Sequence, residues 1–185
     1  MLISRLKNIQ QVLKSFTGLD GEPGNEREKY LLNSMWVMLC AEFEGSIRDK
    51  VEEYIDLIKR KKEVKDMHVC FLLQNFYGSK NEKKEFTIGE ILGVYKRDKS
   101  KINNLNFTKN RKVRNKSFSI KNLFNSLGIF FNSQENTKLK LLDGISSTRD
   151  SIVHGDYEIS ITRKQLEENI KTIKDIFRML KAKLK

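Results

Sequence analysis

The chain has 185 residues, with 36 Lys plus Arg against 24 Asp plus Glu, a formal net charge of +12, and Pro23 as its only proline. This length suits one domain with a real core, and 38% hydrophobic residues, eleven Phe among them, are too many for wholesale disorder. The longest apolar run, residues 36–41, falls far short of the ~18–20 residues a membrane span requires, which excludes an integral helical membrane protein.

In chain order, Leu2, Ile3, Leu6, Ile9, Leu13 and Phe16 stand at helical spacing beside Arg5, Lys7 and Lys14. This amphipathic basic segment lacks the hydrophobic centre of a secretory signal, although a mitochondrial presequence has a similar look. After the Gly- and Pro-containing stretch 21–24, Leu31, Met35, Leu39, Phe43, Ile47, Val51 and Ile55 recur every four residues. The spacing predicts one long helix that runs into the charged stretch 59–62. Shorter helices are expected over 65–76, 88–95 and 118–127, the last stopped by Gly128.

In the final third, Leu139, Leu142, Ile145, Arg149 and Ile152 step by three or four residues, and Gly155 ends the helix. Arg149 therefore takes a place on the apolar stripe where a leucine is expected. A short extended piece, 158–161, leads to the last helix, capped by Thr162 and buried through Leu166, Ile170, Ile173, Phe177, Leu180 and Leu184. There is no internal repeat. The fold class is all-α, a single helical bundle over residues 1–185 with one basic insertion.

That insertion, 96–116, holds Lys96, Arg97, Lys99, Lys101, Lys109, Arg111, Lys112, Arg114 and Lys116 against Asp98 alone, a net +8. It cannot bury enough to pack by itself, so a mobile loop is expected. Charge this concentrated favours a phosphate-tracking arm for nucleic acid over a solvated loop that serves only solubility. Cys40 and Cys70 lie in apolar patterns and form no CxxC, which reads as reduced core thiols of a cytoplasmic protein.

Of the two histidines, His68 lies within an apolar helical pattern and reads as structural or surface. His154 ends the string Arg149-Asp150-Ser151-Ile152-Val153-His154-Gly155. At ~100° per residue Asp150 and His154 share a helix face, while Arg149 lies ~140° round. An arginine on a buried stripe needs an anionic partner or an interface that supplies one; Glu42 and Glu44 are the candidate acids, against the reading that both are simply exposed. An imidazole beside a guanidinium suits phosphodiester cleavage: the histidine moves protons to and from the ribose 2′-hydroxyl and the leaving oxygen, and the arginine holds the phosphate. DNA lacks that hydroxyl, so the substrate of such chemistry is RNA. One histidine does not conveniently serve both proton transfers, which favours two copies from a symmetric dimer.

The string resembles the Arg-polar-x-x-x-His signature of HEPN domains, often followed by Gly, at the end of the helix before the terminal one. The acidic-aromatic-Glu-Gly step Glu42-Phe43-Glu44-Gly45 on the long early helix is similar to one branch of that family, as is the piece from Ile120-Lys121-Asn122-Leu123 to Gly128-Ile129. The resemblance implies a dimerising helical bundle that cuts RNA without metal or cofactor, leaves a 2′,3′-cyclic phosphate, and serves as a toxin or anti-phage effector with an antitoxin or other defence protein as a further partner. Arg149 and His154 match its catalytic positions, and Asp150 matches its polar position, where Asn is more common. Tyr157 stands three residues after the histidine, whereas the tyrosine modified in some toxin pairs stands two after. The alternative is a non-catalytic HEPN-like module for RNA binding or protein interaction.

Overall fold

In a computed structural model the described residues are 2–14, 22–60, 113–156 and 158–184. They form five helices: α1 (Leu2–Lys14), α2 (Glu26–Arg60), α3 (Ser117–Asn125), α4 (Ser133–Val153) and α5 (Arg163–Lys183). No strand occurs among the described residues, in keeping with an all-α bundle. The predicted helices over 65–76 and 88–95, together with His68 and Cys70, lie outside the described residues.

The 35-residue α2 is the central member, packed against α1, α4 and α5. Met35, Leu39, Phe43, Ile47, Val51 and Ile55 of its four-residue repeat are buried, but Leu31 at its start is 38% exposed and Leu32 takes the inward place. A repeat of four advances ~40° per step on a helix of 3.6 residues per turn, so the stripe winds round the helix and its first member faces solvent. The amphipathic N-terminal segment belongs to the same core. Leu2, Leu6, Ile9 and Leu13 are buried, and α1 packs on both α2 and α5.

Helix α5 buries the face read from the sequence, and Thr162 caps it by accepting the Gln165 N–H at 3.1 Å. Helix α4 begins earlier than its apolar stripe, at a capping box in which Asn132 accepts the Glu135 N–H at 2.9 Å and Glu135 accepts the Asn132 N–H at 2.8 Å. The stripe leaves Leu139, Leu142 and Ile145 buried. The buried Trp36 indole donates to the Ile145 carbonyl at 3.0 Å, fixing α4 against α2. Not every phenylalanine is core: Phe118 and Phe130 are 73% and 57% exposed.

Residues 113–116 contradict the expectation of a mobile loop through position 116. Val113 and Asn115 are buried, the Asn115 backbone N–H donates to Glu44 at 2.7 Å, and its side-chain amide donates to the Cys40 sulfur at 3.2 Å. Alternating apolar and polar burial pins the end of the basic segment to α2. Ser117 then opens α3 with its N–H and hydroxyl on Asp143 of α4, at 2.8 and 2.6 Å. The remainder of the segment, 96–112, lies outside the described residues.

Candidate functional site

The site is built at the end of α4. His154 is the C-cap, with its N–H on the Asp150 carbonyl at 2.9 Å. Gly155 follows at φ 81°, the Gly155 N–H reaches the Ile152 carbonyl at 3.2 Å, and the Asp156 N–H reaches the Ser151 carbonyl at 3.1 Å. This pair of bonds is a Schellman closure, which requires a left-handed residue where only glycine is unstrained. The closure ends the helix immediately after His154 and leaves the imidazole exposed.

Arg149, Asp150 and His154 line one cleft of about 470 Å³, together with Glu44 and Arg48 of α2 and Arg114 and Lys116 of the pinned segment. Both Arg149 and His154 line the cleft despite the ~140° between them round the helix, since the arginine side chain is long. The Arg149 guanidinium lies 2.7 Å from one Asp150 oxygen and 3.9 Å from Glu44, and Lys116 lies 3.0 Å from the other Asp150 oxygen. The arginine on the apolar stripe therefore has its anionic partners, and its side chain is one-third exposed. The hydrogen bond from Lys116 and then that from Arg149 hold the Asp150 carboxyl below its ordinary value, against desolvation. The imidazole of His154 has no hydrogen-bond partner among the described residues.

Of the two candidate acids, Glu44 reaches the cleft and Glu42 does not. Glu42 pairs instead with Arg5 of α1 at 2.9 Å, about 200° round α2 from Glu44. Of the nine basic residues proposed as an arm, Arg114 and Lys116 line the cleft, and Lys96, Arg97, Lys99, Lys101, Lys109, Arg111 and Lys112 lie outside the described residues. Sequence reasoning passed over Arg48. Its signal was its place four residues after Glu44, which puts both on one face of α2. Under this edge of the cleft Cys40 is buried, and burial pushes its thiol up to about 11.

A model of the RiboL-PSP-HEPN family matches residues 1–185, the whole chain. The chain belongs to the HEPN family. Neither a curated protein nor a solved structure matches it. HEPN domains are commonly ribonucleases or RNA-binding modules and often form dimers. In this HEPN domain the Arg-polar-x-x-x-His string occupies the end of α4 and opens onto the polar cleft. A second groove of about 510 Å³ adjoins the same helix end, with Tyr30, Val37, Ile152 and Val153 beside Glu26, Lys29 and Asp156 in its lining. No described helix is long and apolar enough to cross a membrane.

Proposed function

We propose that this HEPN domain is a metal-independent endoribonuclease that cuts single-stranded RNA and leaves a 2′,3′-cyclic phosphate. The observation that carries the reading is the convergence of Arg149, Asp150, His154 and Lys116 on one cleft with more cations than carboxylates. In this reading Arg149 leaves Asp150 to bind the scissile phosphate by paired hydrogen bonds and to offset the charge that grows on it. His154 takes the 2′-hydroxyl proton, the freed oxygen attacks phosphorus, and the bond from phosphorus to the 5′-oxygen breaks as that oxygen receives a proton. A second imidazole, His154 of the partner subunit, supplies this proton in a symmetric dimer. The groove at Ile152 and Val153, with apolar and charged lining, offers a surface for that association beside His154.

Lys116 brings the end of the basic segment to the reacting phosphate, with the rest of the segment gathering RNA. The biological setting that fits a self-sufficient RNA-cutting domain is a cytoplasmic toxin or anti-phage effector, restrained by an antitoxin or another defence protein. A second reading, a non-catalytic RNA-binding or protein-interaction module, draws on the engagement of Arg149 by Asp150 and the lack of an orienting partner for His154 among the described residues.

Product chemistry separates the two. Under the catalytic reading, purified protein in EDTA cuts a single-stranded RNA to fragments ending in 2′,3′-cyclic phosphate, and a 2′-deoxy nucleotide at the cut position stops the reaction there. Binding without any cut products favours the second reading. Growth arrest on expression, relieved by His154→Ala, is the matching result in cells.

A further inference from the structure

Among the described residues the cleft holds four cations against two carboxylates, and the cations are of two kinds. Arg149 and Lys116 are already held by Asp150, at 2.7 and 3.0 Å. Arg48 and Arg114 are exposed, and neither has a hydrogen bond or ion pair from its side chain to the described residues. They approach the cleft from different elements. Arg48 stands one helical turn beyond Glu44 on α2, a rise of ~6 Å. Arg114 is exposed between the buried Val113 and Asn115, which anchor the segment on either side of it.

We propose that Arg48 and Arg114 form a second phosphate seat, which grips a phosphate of the RNA strand next to the one that Arg149 engages. This rests on the reading of the cleft as an RNA site and names residues and a subsite beyond it. Volume agrees, since a cleft of about 470 Å³ is in the range that holds a drug-sized ligand and exceeds what a single phosphate fills. Charge agrees as well. With Asp150 and Glu44 balancing Arg149 and Lys116, the surplus positive charge of the cleft is that of Arg48 and Arg114. Their backbone anchors are in place before RNA arrives, on a helix interior and on a pinned segment, so little ordering of the main chain opposes binding. Such a seat reads phosphate and not sequence, and it fixes the direction and register of the strand across His154.

The test measures binding of a fluorescent single-stranded RNA oligonucleotide across a salt series, in a His154→Ala background to exclude cutting. Arg48→Gln/Arg114→Gln is compared with Lys121→Gln/Lys171→Gln, an equal loss of charge at exposed sites away from the cleft. Each phosphate contact to a single strand contributes ~0.7 to the slope of log affinity against log salt. The arginine pair should therefore lower the slope by ~1.4 and weaken binding about tenfold at low salt, with the lysine pair near the background. A single-stranded DNA of the same length should show the same loss. Equal effects from the arginine and lysine pairs, an unchanged slope, or a loss confined to RNA would overturn the seat. The catalytic reading is judged separately by whether His154→Ala still cuts, so either conclusion can fail while the other holds.

Discussion

Lys116 lies 3.0 Å from Asp150, which ties the last residue of the basic segment to the polar residue of the Arg-polar-x-x-x-His string. Two sequence features separated by a complete helix thus meet in one ion network, with Arg149 on the other Asp150 oxygen at 2.7 Å. The network occupies Arg149 and Lys116 in the resting site, because each of these two cations already has a carboxylate.

Asp150→Asn should relieve that restraint. Partly exposed ion pairs are worth up to ~1 kcal/mol, so RNA affinity should rise by roughly two- to fivefold, and a direct binding titration checks it. Cleavage should be kept, since an amide still orients the arginine. A loss of affinity would show that Asp150 itself contacts RNA.

The same carboxylate predicts a pH effect on stability. Its folded pKa lies below the ordinary 3.8, so the unfolded chain takes up the proton first as pH falls. The contribution is complete well above 3.8 and is lost as pH drops through the folded value. Denaturant unfolding at pH 7 and pH 3 should therefore show a smaller acid loss in Asp150→Asn than in the parent.

Gly155→Ala isolates the helix closure. A Cβ at this position meets nothing within 4 Å, so the cost is conformational, at φ 81°. About 1 kcal/mol of stability should go, readable as a fall of ~2–4 °C in Tm. RNA cleavage should fall by more than this loss accounts for, because the closure sets where His154 stands.

Cys40 reports on the pinned segment. A thiol raised to about 11 and covered by Asn115 should react with an alkylating reagent at pH 8 about a hundredfold more slowly than in the unfolded chain, measured in a Cys70→Ser background. Asn115→Ala should speed labelling. Rapid labelling of the parent would mean that residues 113–116 do not close over α2.

The long helices were legible in the sequence because their apolar repeats run unbroken past charged neighbours, as in Met35 to Ile55 and Leu166 to Leu180. The start of α4 was harder, since 133–138 carries no apolar residue and only the Asn132 to Glu135 box marks it. Arg149 announced a need for an anion by standing on the stripe, yet the sequence could not choose between Glu42 and Glu44, two residues apart on α2. The fold decides it: Glu42 faces α1 and Arg5, while Glu44 faces Asn115 and Arg149. The meeting of Lys116 with Asp150 was not legible at all, because it depends on how α3 and its leading segment dock on α2 and α4. The segment's charge alone suggested a loop, and the burial of Val113 and Asn115 corrects its last four residues.

The central claim is that Arg149 and His154 of this cleft cut RNA. It is tested most directly by the cleavage rate of a single-stranded RNA in EDTA for the parent, Arg149→Ala and His154→Ala. Removal of a proton-transfer group or a transition-state cation costs ~10²–10⁴ in rate. Both variants should lose at least a hundredfold while melting within a few degrees of the parent, since the two side chains are partly or fully exposed. A His154→Ala protein that cuts at the parent's rate would contradict the account.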